Sequence, residues 1–271
     1  MALASRHAVI VGVGALGAHV AIDLVRTGIG RLDLVDGDQV DVATASRQYA
    51  PVFAAGRPKA EALASHLIVG HPDTHLRVFD LTVGHLDLSD HRRAHRRELE
   101  QRLRTADLVI DASAAPAVTR YLAGVRAAHG LDFLHLSATA GAWGGCVFLA
   151  TPATGCWACL QHHRLDDAVP VPPADPTGTI TPPGCADPSF TGTNPDLATI
   201  AHHASRVAIG RLLGFRGLGG DLYVARLRSR DGTPRPVSWR AVPVPVHPDC
   251  PLHPAADTTP GADQHRGAET P

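Results

Sequence analysis

The chain has 271 residues, and its 25 Lys plus Arg against 26 Asp plus Glu leave a formal charge of −1. That balance supplies no overall basic field, so neither nucleic acid nor an anionic membrane is indicated as a partner, and the length suits one large α/β domain with appendages. No stretch is apolar for the roughly eighteen residues a membrane span needs, and Arg6, His7 and a run of glycines stand where a signal peptide would be plainly apolar, which implies a cytoplasmic protein.

His7 to Val13 is a Val/Ile-rich run that ends in glycines, and an Ala/Leu/Val-rich segment follows to about Thr27: strand, tight turn, helix. Arg31 to Val35 reads as a second strand. The alternation continues with a helix from Lys59 to Val69, a strand at His75 to Phe79 and a charged helix at Asp90 to Arg104. A strand at Leu108 to Asp111, a helix at Pro116 to Ala128 and a strand at Phe133 to Ser137 complete it. Alternating strands and helices with short links predict an α/β fold: a doubly wound, mostly parallel, Rossmann-like sheet with ligands beyond the carboxyl ends of its strands. From about 161 to 192 the composition turns to Pro, Asp, Thr and Gly, which predicts a long, mobile crossover loop. Asp196 to Leu213 then reads as helix, and Leu222 to Leu227 with Val237 to Val242 as an antiparallel C-terminal extension. The domain therefore spans 1–253, and residues 254–271, without periodicity or large apolar groups, read as a disordered tail.

Gly12, Gly14 and Gly17 form GxGxxG between a strand and a helix, where glycines let backbone N–H groups approach a phosphate. Asp36 follows nineteen residues after Gly17 at the end of the second strand, placed to accept ribose hydroxyls. Together these residues point to a nucleotide. Arg47, Gln48 and Lys59 come next in the chain, and two cations near a phosphate loop suit attack on a triphosphate better than hydride transfer. An NAD-dependent oxidoreductase is accordingly the weakest of the alternatives.

Cys156 and Cys159 form CWAC, and Cys250 and His253 form CPLH. Two pairs with ligands at this spacing make a closed tetrahedral Cys₃His zinc site, structural because no coordination position stays open. His247, three residues before Cys250, is the less favoured ligand. Cys185 lies in PPGCADP within the crossover loop, where a thiol could swing toward an activated acyl group, whereas Cys146 in GGCVFLA reads as a small buried hydrophobe. The pairs His162/His163 and His202/His203 read as solvated or packing residues, because adjacent side chains diverge.

The glycine turn VGVGALG, the acidic turn DGDQV, the RQ pair, the GRPKAEA helix start and DLVIDAS before a helix, taken in order, resemble the ThiF/MoeB/HesA family of ubiquitin-activating-enzyme-like adenylyltransferases. The resemblance covers about residues 7 to 253. It implies that Asp36 holds ribose, that Arg47 and Lys59 contact ATP phosphates, and that Gln48 shapes the same pocket. It further implies ATP-dependent adenylation, with magnesium, of the C-terminal carboxylate of a ubiquitin-like protein, a sulfur carrier or a peptide, with transfer to Cys185 as an added step. A homodimer and a structural Zn²⁺ follow by the same analogy. The acidic residue that relatives place after DLVID falls at Ala114 and the neighbouring Asn at Ala115, which leaves Asp111 as the carboxylate for Mg²⁺. Thr44 stands where an Asn often precedes the RQ pair. These departures carry an alternative reading, a pseudoenzyme that serves as a partner-binding subunit.

Overall fold

The computed structural model describes residues 2–44, 47, 49, 52–84, 90–180, 189–215 and 218–253. Its first strand, β1 (His7–Val11), is buried along its whole length and passes through a glycine turn into α1 (Gly17–Arg26). Then come β2 (Arg31–Val35), α2 (Lys59–Gly70), β3 (His75–Phe79), α3 (Asp90–Thr105), β4 (Leu108–Asp111), α4 (Pro116–His129) and β5 (Phe133–Ala138). Strands that are Val-, Ile- and Leu-rich on both faces belong in a parallel sheet covered by helices on either side. β3, β2, β1, β4 and β5 lie in that order and are parallel. α1 and α2 cover one face and α3 and α4 the other.

Beyond β5 the pairing turns antiparallel. β6 (Gly144–Ala150) runs against β5 and is buried along its whole length, then gives way to α5 (Trp157–Leu165). The expected crossover loop therefore begins after a helix that reaches Leu165, later than its composition implied. Its described part is tied down: Asp175 N donates to Ala140 O at 3.0 Å, Thr139 Oγ1 donates to Pro173 O, and Gly178 lies against the backbone of Gly141. A short pair, β7 (Thr179–Ile180) with β8 (Ser189–Phe190), leads to α6 (Asn194–Leu212). Pro195 sits in the first turn of α6, and Leu197, Ile200, Ala201, Ala204, Val207 and Ala208 form the buried stripe of an amphipathic helix. That stripe packs on α1 and the sheet. β9 (Leu222–Arg228) pairs with β6, and β10 (Pro234–Val242) closes the edge, starting earlier than expected because an irregularity between Pro234 and Ser238 prolongs the pairing.

The tail at 254–271, Gln48 and Cys185 lie outside the described residues. No helix among the described residues is long and apolar enough to cross a membrane.

The three turn glycines do different work. A Cβ on Gly17 would stand 1.9 Å from Gly12 O, whereas one on Gly14 meets nothing within 4 Å. Gly17→Ala is therefore expected to cost about 2–3 kcal/mol, read as a lowered urea midpoint, and Gly14→Ala to stay within about 0.5 kcal/mol of the native chain. Equal midpoints for the two variants would contradict this packing.

Candidate functional site

β1 and β4 are neighbours, but the chain leaves β1 toward β2 and leaves β4 toward β5, so a crevice opens between their carboxyl ends. The cavity there measures about 280 Å³, and Gly12, Gly14, Asp36, Arg47, Lys59 and Ser113 are among its lining residues. Gly12 has φ +87°, and a Cβ on it would stand 2.6 Å from Ser113 Cα, so only glycine lets the first turn meet the exit of β4. Gly14, with open space in front of it, leaves room for a ligand's approach to the backbone.

Asp36 directly follows β2 and accepts from Val13 N at 2.8 Å and Asp38 N at 2.9 Å, so one carboxylate clamps the glycine turn to the acidic turn. Burial raises its pKa, opposed by those two backbone donors and by the Lys59 charge. Donors from a ligand would complete the solvation that burial removes. The acidic turn then binds the segment that leads into α2: Val40 N donates to Arg57 O at 2.8 Å, Gly56 N to Val40 O at 2.9 Å, and Lys59 N to Asp38 O at 2.9 Å. This ladder sets Lys59, the first residue of α2, on the cavity wall, with its Nζ 2.7 Å from Asp38 Oδ2. Arg47, half-buried, joins the same wall. The sequence-predicted Gly12, Gly14, Asp36, Arg47 and Lys59 thus line one cavity, and Gly17 supports it from behind.

Asp111 departs from expectation. It is 0 % exposed, and both its oxygens are engaged: Oδ1 accepts from Ser113 N at 3.1 Å and Ser113 Oγ at 2.6 Å, Oδ2 from Thr119 Oγ1 at 2.6 Å and His135 Nδ1 at 3.0 Å. Burial by itself would raise its carboxyl, but the hydrogen bond and charge of His135 with the Ser113 and Thr119 hydroxyls outweigh it and hold the pKa below its ordinary value. Instead of facing the cavity as a magnesium ligand, Asp111 lies beneath the floor and anchors Ser113. Ala114, where the resemblance places an acidic residue, lines the cavity with φ +56° and offers no side-chain ligand atom. The carboxylates that do line it are Asp36, which accepts from two backbone N–H groups, and Asp38, which pairs with Lys59.

The cysteine pairs do converge. Cys156 is the N-cap of α5 and Cys159 stands in its first turn, positions whose side chains meet at a helix start. Their sulfurs are 3.7 Å apart, and Cys156 Sγ is 3.5 Å from Cys250 Sγ. With His253, the four ligand atoms lie within 4.8 Å of one another. Tetrahedral zinc with Zn–S near 2.3 Å separates sulfurs by about 3.8 Å, so the spacing fits that ion. His253 Nε2 is buried without a hydrogen-bond partner, as expected for a donor atom that faces a cation. His247 is otherwise engaged: Nε2 contacts Asp166 Oδ2 at 2.9 Å and Nδ1 accepts from Asp249 N at 3.1 Å.

The paired histidines separate. His162 stacks on His247, His163 Nε2 contacts Pro245 O at 3.0 Å, and His203 stacks on Trp239. His202 does find an acid, with Nδ1 2.7 Å from Asp23 Oδ2 on α1, but as a single ion pair at the surface. Cys146 is buried, yet its sulfur takes part in polar contacts. Ser113, Ser137 and Leu197 line the cavity and were not singled out from sequence, where serine and leucine carry no distinguishing pattern.

A family model described as the ThiF family matches residues 1–251. The uncharacterized protein y4oA of Sinorhizobium fredii (strain NBRC 101917 / NGR234) is 33 % identical over 256 residues, which cover 92 % of this chain and 43 % of y4oA. The chain thus spans less than half the length of that relative. Ubiquitin-like modifier-activating enzyme 5 of Caenorhabditis elegans is 38 % identical over 81 residues, 30 % of this chain and 19 % of that enzyme. Among solved structures, E. coli MccB with ATP superposes with a TM-score of 0.65 at 15 % identity, covering 92 % of this chain and 66 % of MccB. The microcin C7 biosynthetic enzyme MccB in complex with N-formylated MccA gives 0.66 at 16 %, covering 92 % and 68 %. At these identities the likeness is one of fold.

The buried knot at Asp111 generates a pH test. Its carboxyl is depressed, so its stabilisation is complete above the unfolded value near 3.9 and is lost as pH falls through the lower folded value. Asp111→Asn is expected to cost about 1–3 kcal/mol at pH 7, a gap that stays level down to about pH 5 and closes below about pH 4 in urea titrations. A gap that widens toward acid would contradict an ionised Asp111.

Proposed function

The chain belongs to the ThiF family, and from that membership we propose that it binds ATP at the β1–β4 crevice and adenylates the C-terminal carboxylate of a peptide or a ubiquitin-like or sulfur-carrier protein. The observation that carries this reading is the convergence of Gly12, Gly14, Asp36, Arg47 and Lys59 on one cavity. MccB, which shares the fold, has been seen with ATP and with N-formylated MccA, and a shorter stretch resembles an enzyme that activates a ubiquitin-like modifier. The family assignment sets aside the dinucleotide oxidoreductase.

In the proposed reaction a carboxylate oxygen attacks the α-phosphorus, the bond to the bridging oxygen of pyrophosphate breaks, and an acyl adenylate results. Asp36 accepts the ribose hydroxyls. Lys59 turns from Asp38 to the phosphates, and with Arg47 it neutralises charge that grows on the leaving pyrophosphate. The site aligns two anions and screens their repulsion, so most of its contribution is positional and electrostatic. No step is assigned to magnesium. A second reading, a subunit that binds nucleotide without turnover, rests on Ala114 and Ala115, which put methyl groups where the family resemblance leads one to expect an acid and an amide. The Cys₃His cluster is proposed to hold a structural zinc that pins the start of α5 to the segment after β10.

Two experiments follow. ATP–pyrophosphate exchange, run against carboxyl-terminal peptides and ubiquitin-like carriers, is expected to fall by about 10²–10³-fold in Lys59→Ala. Undiminished exchange in the variant would sink the role of Lys59, and tight ATP binding without exchange by the native chain would select the second reading. Metal analysis is expected to find about one zinc per chain, with Cys250→Ser losing most of it and melting roughly 5–10 °C lower. Zinc-free native protein that melts with the variant would remove the metal from the account.

A further inference from the structure

The cations of the cavity, Arg47 and Lys59, stand on the β2 side, whereas the wall formed by β4, β5 and α6 carries Ser113, Ala114, Ser137, Ala138 and Leu197, with no charge. Ser137 is two strands from the glycine turn across the sheet, about 10 Å at the usual strand spacing. A nucleotide held by Asp36 and by the cations leaves this wall for the acyl group.

Behind Ser137 lies a polar chain. Ser137 Oγ is 3.2 Å from Cys146 Sγ, its cross-strand partner on β6, and Arg164 Nη2 of α5 is 3.5 Å from the same sulfur. A guanidinium only donates, so the sulfur accepts from Arg164. Cys146 is 2 % exposed, and among the described residues the acceptor within reach of its S–H is Ser137 Oγ. Either atom can donate across this contact, and when the thiol is the donor the Ser137 O–H is left to donate into the cavity. Run in that direction, the order Arg164 to Cys146 to Ser137 ends in a hydroxyl donor at the cavity wall.

We infer that Ser137 is the residue that hydrogen-bonds the acyl oxygen of the carboxylate substrate and of its adenylate, with Cys146 and Arg164 as positioning residues behind it. The assignment rests on the adenylation reading above. A neutral donor suits this place: it binds a carboxylate oxygen without holding the anion so strongly that attack on phosphorus is slowed. Cys146 thereby has a role that its apolar surroundings conceal. A serine at 146 would pass on the same polarity, and an alanine would let the Ser137 hydroxyl rotate freely.

Calorimetric titration with two probes tests this, AMP and the stable acyl-adenylate mimic 5′-O-(N-glycylsulfamoyl)adenosine, of which only the second carries an acyl oxygen. Ser137→Ala is expected to weaken the glycyl mimic about tenfold and AMP less than about twofold. Cys146→Ala should weaken the mimic by about threefold, and Cys146→Ser should restore it. Equal losses for both probes, or no loss for either, overturn the assignment of Ser137. Cys146→Ser behaving as Cys146→Ala overturns the positioning chain. A native chain that binds the glycyl mimic no more tightly than AMP overturns the adenylation reading itself and the Ser137 assignment with it, an outcome distinct from discrimination by the native chain that Ser137→Ala leaves intact.

Discussion

At Gly12 two backbones come closer than any side chain permits. The turn after β1 lies against Ala112 and Ser113 at the exit of β4, with 2.6 Å between the place of a Cβ and Ser113 Cα. This contact makes the crevice between β1 and β4 a floor instead of a gap, and the other site residues are hung from its margins. On one side Asp36 clamps Val13 and Asp38, so the glycine turn and the acidic turn are tied together. On the other side Asp111 fixes Ser113 through two hydrogen bonds and binds Thr119 and His135 of the flanking elements. Two acids at strand ends thus divide the labour. The half-buried one retains acceptor capacity for a ligand, and the fully buried one has spent all of it on the protein.

Much of this was legible in sequence because parallel strands buried on both faces read as short Val/Ile/Leu runs, and because glycine spacing and strand-end acids have few other uses. The strands from β1 to β5, the helices between them and the residues Gly12, Gly14, Asp36, Arg47 and Lys59 emerged from that pattern. Asp111 shows where it stops. Sequence marks an acid at the end of β4, but whether it faces ligand or core depends on a threonine eight residues later and a histidine on the next strand, both of which turn inward. α5 was obscured differently. Its buried positions are just Cys159 and Leu160, its last apolar residue, Leu165, is exposed, and the proline-rich segment soon after it masked its C-terminal turn. β6 was visible as an apolar run, but its direction depends on a reversal at Gly141, where φ is +68°.

The antiparallel half of the sheet takes its meaning from α5. The Cys₃His cluster lies at the N-terminus of that helix and joins it to the segment after β10, so the position of α5 is set by ligands far apart in the chain. One and a half turns along, Arg164 reaches Cys146 on β6, and Cys146 reaches Ser137 at the cavity. A continuous set of contacts therefore runs from the cluster to the uncharged wall of the nucleotide site. Such contiguity establishes a route for positional control and not its magnitude, which depends on whether α5 has a second arrangement to adopt. The packing argues for a single one. Cys156, Cys159 and Leu160 are fully buried in one core cluster with residues of β6 and β9 and with Val244, and a helix with a close-packed face has little freedom to tilt. With zinc bound, the cluster would act on the site as a rigid support, setting the direction from which Arg164 meets the sulfur and, on the inferred polarity, the orientation of the Ser137 hydroxyl.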